Sequence, residues 1–293
     1  MSPVAWVLNL DAEEELALGR RYTPSDRLRA IVRQQAAALV GELVRPGDLV
    51  VEETTAAGAA AGYLGRAWSP TRRARRLLAH AGATLAPAPA GDVLAAVNAR
   101  PFAVELHAML AQDAFEKCVA SDLDRALELI ARPAPLGWLV RRTFGAAGRG
   151  RRRLAAGTPA FPDLAWLRAG LARGPLVVEP WVLVTTEFTR SGLVRPDGRV
   201  VVSAPCVQRT TRTGAWIDTE LTLDVRRTDD ARLEEATALA GERLAAAGYF
   251  GPFGVDAYRY RDGARERLNP LSEINARYTM DWTRAFDTAL LTQ

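Results

Sequence analysis

Two carboxylates and an amide lie near the end of the 293-residue chain, in types and spacing that suit a hard metal ion. Asp256 falls in Gly254-Val-Asp256-Ala-Tyr258, and a later segment reads Glu273-Ile-Asn275-Ala-Arg277. Residues two apart on a strand share a face. Glu273, Asn275 and Arg277 are therefore expected to point one way, with Ile274 and Ala276 towards the other. A turn at Asp262-Gly263 would let the two segments pair and bring Asp256 near Glu273, although the spacing does not fix the register. Such an oxygen set suits Mg²⁺, which keeps several waters and takes further ligands from nucleotide phosphates. Arg277 suits a phosphate oxygen. A lone acid near a strand end is usually just solvated; the Glu-x-Asn-x-Arg run after an Asp-bearing strand raises these residues above that reading.

A second group is Gly145-Ala-Ala-Gly148-Arg149-Gly150, which follows the apolar run Trp138-Leu-Val-Arg141-Arg142. Glycines let backbone N–H groups approach phosphate oxygens without a Cβ in the way. The order matches neither the P-loop, since no GK[ST] follows, nor the dinucleotide fingerprint. Arg151 to Leu154 reads as a return strand. The loop is thus expected to be a hairpin tip lying over phosphates, with a plain surface hairpin as the ordinary alternative.

Other chemistries fare worse. Cys118 and Cys206 are the only cysteines and His80 and His107 the only histidines, too few for a disulfide framework or a zinc site. No GxSxG elbow is present for a serine nucleophile. The net charge of +4 rests almost wholly on arginine, since Lys117 is the single lysine. The runs Arg72-Arg73, Arg75-Arg76 and Arg151-Arg152-Arg153 are not interleaved with aromatics, so nucleic acid is not an expected partner. No apolar run reaches the roughly 20 residues that span a bilayer. The first residues do not read as a signal peptide, and the cytoplasm is the expected location.

These groups need elements to hold them. Val4 to Leu10, Asp48 to Glu52 and Thr84 to Ala86 read as strands, alternating with helices from about Ser25 to Val44 and from Ser69-Pro70 to Gly82. That alternation predicts a small α/β unit with parallel strands. Lys117 to Ala120, Gly137 to Arg142 and Leu176 to Val184 read as strands, with a helix capped by Ser121 after the first. Antiparallel strands are expected from Glu187 to about Asp224, turning at Pro196-Asp-Gly198 and Thr213-Gly214. A long helix from Asp229 to Ala247, strands from Phe253 to Tyr260 and from Arg267 to Asn275, and a last helix from Met280 to Leu291 complete the pattern.

With its motifs in this order, the chain over roughly residues 100–290 resembles the ATP-grasp superfamily. The resemblance implies an α/β (α+β) architecture in which two α+β lobes sandwich ATP. It divides the chain into an N-terminal α/β pre-ATP-grasp domain over 1–112, a small central subdomain over 113–182 and a large subdomain over 183–293. Arg141 stands where the family usually has a phosphate-binding lysine, and Lys117 matches an earlier family lysine in position. Gly145, Gly148, Arg149 and Gly150 form the phosphate-covering loop. Glu179 and the backbone of Trp181 and Val182 would face adenine, and Glu187 would meet ribose hydroxyls. Asp256, Glu273 and Asn275 would hold one or two Mg²⁺ ions, with Mn²⁺ as a substitute, and Arg277 and Arg141 would act on the transferring group. The implied activity is a ligase that activates a carboxylate with ATP for attack by an amine or, less often, a thiol. Its partners are small-molecule acids and amines, and a homodimer is the family's usual assembly. Arg209, Arg212, Asp218 and Glu220 are candidates to meet the acceptor. A small-molecule kinase or a non-catalytic nucleotide- or nucleic-acid-binding module are the rival readings.

Overall fold

The computed structural model describes residues 3–110, 116–145, 148–210, 216–221 and 225–286, with the backbone alone at 210, 216 and 221. The first sheet joins β1 (Val4–Val7), β2 (Leu49–Val50), β3 (Leu64–Ala67) and β4 (Thr84–Leu85) in the order β2-β1-β3-β4, all parallel as the sequence pattern predicts. Helices α1 (Ala12–Leu18), α2 (Asp26–Ala37) and α3 (Arg72–His80) belong to this unit. Ala74 and Leu78 of α3 pack on Ala5 and Val7 of β1.

Two helix boundaries differ from expectation. The cap of α3 is Thr71, whose Oγ1 accepts from Ala74 N at 3.4 Å, and Pro70 stands before the cap. Ser69 is held instead by Asn9, which donates to its carbonyl and accepts from its N–H. Helix α2 starts where the sequence suggested, with Ser25 as its cap, but it ends at Ala37. The apolar stripe that suggested a longer helix continues as Leu39, Leu43 and Val44, buried in a turn around Gly41 at φ +90°. Helices α4 (Gly91–Asn98) and α5 (Arg100–Leu110) follow; sequence reasoning missed both.

The second sheet has the order β5-β8-β6-β7, built from β5 (Cys118–Ala120), β6 (Trp138–Arg142), β7 (Arg151–Leu154) and β8 (Leu176–Pro180), with antiparallel neighbours. Helices α6 (Leu123–Ala131) and α7 (Phe161–Leu171) cover its core of Leu129, Ile130, Val140, Leu167 and Val178. Asp122, one residue after the expected Ser121, caps α6 by accepting from Arg125 N at 2.8 Å. Its carboxylate also suits the positive end of the helix dipole. The strand expected over Leu176 to Val184 breaks after Pro180, where Trp181 N turns to donate to Gly137 O at 2.9 Å.

The third sheet is antiparallel with the order β11-β10-β9-β12-β13, formed by β9 (Leu183–Val194), β10 (Val200–Thr210), β11 (Trp216–Leu221), β12 (Gly251–Asp262) and β13 (Arg265–Asn275). Helix α8 (Arg227–Ala246), ended by Gly248 at φ +83°, packs on one face. The close fit needs glycine at 241 in the helix, because a Cβ there would meet Val200 and lie 3.0 Å from Phe253 Cζ. α4 and α5 join this core: Leu94, Val97 and Leu106 pack with Phe253, Leu271 and Ile274. A short α9 (Trp282–Ala285) begins the segment expected to be helical to Leu291; residues 287–293, the Thr213-Gly214 turn and the expected boundary near 112 lie outside the described residues. Aromatic rings tie this end to the first sheet, with Trp6, Tyr278 and Trp282 in successive edge contacts at 5.3 and 5.4 Å.

Candidate nucleotide and metal site

The register of the third sheet assembles the acids. Asp256 on β12 lies opposite Glu273 on β13 and opposite Thr189 on β9, while Gly254 lies opposite Asn275. Three neighbouring strands therefore present these side chains on one face, which borders a cavity of about 1080 Å³. Asn275 Nδ2 donates to Asp256 Oδ2 at 2.9 Å, and Asn275 Oδ1 accepts from Arg277 at 2.9 Å. Burial, and then the facing charge of Glu273, push the Asp256 carboxyl up to about 7. Two opposed acids with one driven towards neutrality are the electrostatic mark of a place that favours a cation. Among the described residues no three His, Cys, Asp or Glu side chains cluster for a metal. A hard divalent ion here would draw on two carboxylates, one amide oxygen and outside oxygens, a set that fits Mg²⁺.

Glu273 is held by two arginines. Arg100 donates to its Oε1 at 2.7 Å, and Arg141 lies 3.4 Å from its Oε2. Arg141 also lies 2.7 Å from Glu179 Oε1, and Lys117 Nζ lies 3.5 Å from Glu179 Oε2. Lys117 further donates to the carbonyls of Leu271 and Ser272 at 3.1 and 2.8 Å, pinning β5 to the strand that carries Glu273. Burial works against the Glu179 charge, yet Arg141 and then Lys117 overcome it and hold the carboxyl below its ordinary range. Burial lowers the Lys117 ammonium to about 8 against the pull of Glu179.

The glycine-rich segment is the tip of the β6–β7 hairpin, as the return strand suggested. Gly148 and Gly150 have φ of +75° and +70°, which a side chain would strain. A Cβ at Gly145 would stand 2.5 Å from Arg149 O and 3.3 Å from Arg100, so this glycine is required by close approach. Residues 146–147 lie outside the described residues. Arg149 reaches back to the first unit and lies 3.3 Å from Glu14.

Most of the sequence-derived residues share the one cavity: Arg141, Gly145, Gly148, Arg149, Trp181, Val182, Glu187, Asp256, Glu273, Asn275 and Arg277 line it. Lys117, Gly150 and Glu179 do not. Glu179 is 1% exposed and committed to two cations beneath the cleft, which corrects the expectation that its side chain faces a base edge. The Trp181 N–H is likewise spent on Gly137 O, so only its carbonyl and the Val182 backbone remain for such an edge. Arg277 lines the cavity but, like Arg141, is already paired. It bonds Glu13 at 2.6 Å and Asn275, and its guanidinium lies 5.5 Å from the Trp68 ring centroid. Of the acceptor candidates, Arg209 lines the cavity and lies 3.9 Å from Glu220 at an exposed rim, Asp218 accepts from Arg284, and Arg212 lies outside the described residues.

Arg100 was missed. At the start of α5 it bonds the carbonyls of Arg142 and Gly145 as well as Glu273, joining the glycine loop to the acidic strand. In a chain so rich in arginine nothing in its spacing marks it; only the Pro101 after it hints at a helix start.

No family model and no curated protein sequence matches the chain. Solved structures do. N5-carboxyaminoimidazole ribonucleotide synthetase in complex with ADP aligns with a TM-score of 0.56 at 12% identity, covering 95% of this chain and 71% of that one. The N5-carboxyaminoimidazole synthetase of Staphylococcus aureus, also with ADP, aligns at 0.55 and 11% identity over the same shares. The biotin carboxylase domain of the Hydrogenobacter thermophilus 2-oxoglutarate carboxylase, with MgADP, ADP and bicarbonate, aligns at 0.51 and 15% identity over 71% of this chain and 45% of that one. At such identities the likeness speaks for architecture, and that architecture is the one the hairpin, the acidic strands and the cleft between them already describe: the chain has the ATP-grasp fold.

Proposed function

We propose that the chain is an ATP- and Mg²⁺-dependent ligase, which activates a carboxylate as an acyl phosphate for attack by an amine or thiol. One observation carries the reading. The glycine hairpin and the Asp256, Glu273, Asn275 group meet at a single cavity, inside a fold shared with proteins solved with ADP. Asp256, Glu273 and Asn275 are the residues that would hold one or two Mg²⁺ ions, whose chemistry is to neutralise phosphate charge. Arg141, Arg149 and Arg151 line the same cavity and stabilise the negative charge of a triphosphate. The hairpin lies over the phosphates and excludes water, limiting hydrolysis of the activated acid. Trp181 and Val182 border the adenine, and Glu187 meets the ribose. Lys117 and Glu179 act from beneath by fixing Arg141. No protein nucleophile is needed, because the amine displaces phosphate directly. A cytoplasmic setting and a homodimer accompany this reading.

The test is ADP release with acids and amines offered in pairs. A ligase releases ADP and free phosphate only when both are present, whereas a kinase would leave a stable phosphate ester on one substrate. Glu273→Ala should abolish Mg²⁺-dependent ADP formation while the circular dichroism spectrum stays native. Turnover that survives this change would refute the metal assignment.

A further inference from the structure

The cleft is divided by chemistry. Its wall from the first unit consists, among the described residues, of Leu10, Ile31, Gln34, Gln35, Ala38 and Trp68, none of them ionic. Arg141, Asp256, Glu273 and Arg277, which line the same cavity, come from the later sheets and the segment after them. Ile31, Gln34, Gln35 and Ala38 stand at i, i+3, i+4 and i+7, one face of α2 and its C-cap. A surface helix normally sinks such a face into a core. Here no residue of α2 is buried, and the stripe is turned to the cleft instead.

Across the cleft, Gln208 also lines the cavity and lies opposite Glu187 in the β9–β10 register, so it shares the face that carries the acids. Carboxamides from both sides thus reach the space between α2 and the third sheet. Each offers a donor and an acceptor, the complement of a peptide group. An ionic group lodged against Ile31 and Ala38 would lose its water, and none of the α2 residues that line the cavity offers a countercharge.

Resting on the ligase reading above, we infer that this neutral wall receives the organic substrate and recognises an uncharged, amide-bearing portion of it, as in a dipeptide or an N-acyl amino acid. A phosphorylated substrate is disfavoured there. α2 is then the element that sets substrate choice, while the nucleotide is held by the later sheets.

The experiment has two readouts on the full chain. Thermal stabilisation by MgATP reports the nucleotide, and ADP release reports the substrate. Dipeptides, N-acetyl amino acids and phosphorylated acids and amines such as phosphoserine are offered in acid–amine pairs. ADP release is expected with the amide-bearing compounds at a KM about tenfold or more below any phosphorylated one. Ile31→Arg and Gln35→Leu should each raise that KM by about tenfold while leaving stabilisation by MgATP unchanged, which also shows that the variants fold. Preference for phosphorylated substrates, or a KM that neither variant moves, overturns the inference with the nucleotide reading intact. Absence of any MgATP effect on the unaltered protein overturns the nucleotide reading, and this inference with it.

Discussion

Replacing Glu179 by glutamine keeps the shape of the side chain and removes its charge, and the structure says what should follow. The carboxylate is 1% exposed, and the Lys117 and Arg141 side chains beside it are 2% and 12% exposed. At the observed 2.7 and 3.5 Å, and with an effective dielectric of about 20, the gross attractions are roughly 6 and 5 kcal/mol. Much of that offsets the cost of taking three charges out of water, so the pair adds little as a whole. Breaking it is different, because two buried cations are left beside each other with only Glu273, 3.4 Å from Arg141, to offset them, at a typical cost of about 3–5 kcal/mol. For a chain of this size each kcal/mol moves the melting temperature by about 2–4 °C, so Glu179→Gln should melt roughly 6–20 °C lower by calorimetry. Adding Lys117→Met should restore part of the loss, because the second change removes a charge the first left stranded. A shift under about 3 °C, or strictly additive losses in the double variant, would refute the argument that this cluster is held by mutual charge compensation.

Other outcomes follow from the same coordinates. His107 is 5% exposed, and burial followed by the nearby Lys117 charge lowers it from 6.5 to about 4. The unfolded chain takes up that proton first, so stability should fall as pH drops from 6.5 towards 4, by about 3 kcal/mol in all; melting curves of the parent and His107→Gln should converge at low pH. Gly241→Ala should lose about 1–3 kcal/mol in urea titrations despite better helix propensity, since the new methyl strikes Val200 and Phe253. Asp122→Ala should cost about 1 kcal/mol and Ser121→Ala under about 0.5 kcal/mol, which thermal melts of the two variants can separate.

How much of this was legible beforehand depended on the range of the interactions. The Asp262-Gly263 turn was enough to suggest that β12 pairs with β13, because a hairpin is local, but not to fix the register, which shifts between Asp256 and Tyr258. The Gly145–Gly150 hairpin was readable for the same reason. The Glu179 expectation failed because burial depends on what lies across the sheet, and Lys117 is 62 positions earlier in the chain. Arg100 joins segments 42, 45 and 173 positions away, a relation no local pattern carries. α4, α5 and α7 escaped notice for a milder reason: they are short, and periodicity over eight to eleven residues is weak.

β7 closes one side of the second sheet and, among the described residues, has a bonded neighbour, β6, on one flank only. Its other flank offers the backbone groups that could recruit a foreign strand. Three arginines in succession, Arg151, Arg152 and Arg153, occupy that strand, and a second copy docking its own β7 alongside would bring like charges together. A run of cations can therefore guard an open sheet edge against self-pairing, leaving any assembly of copies to other faces.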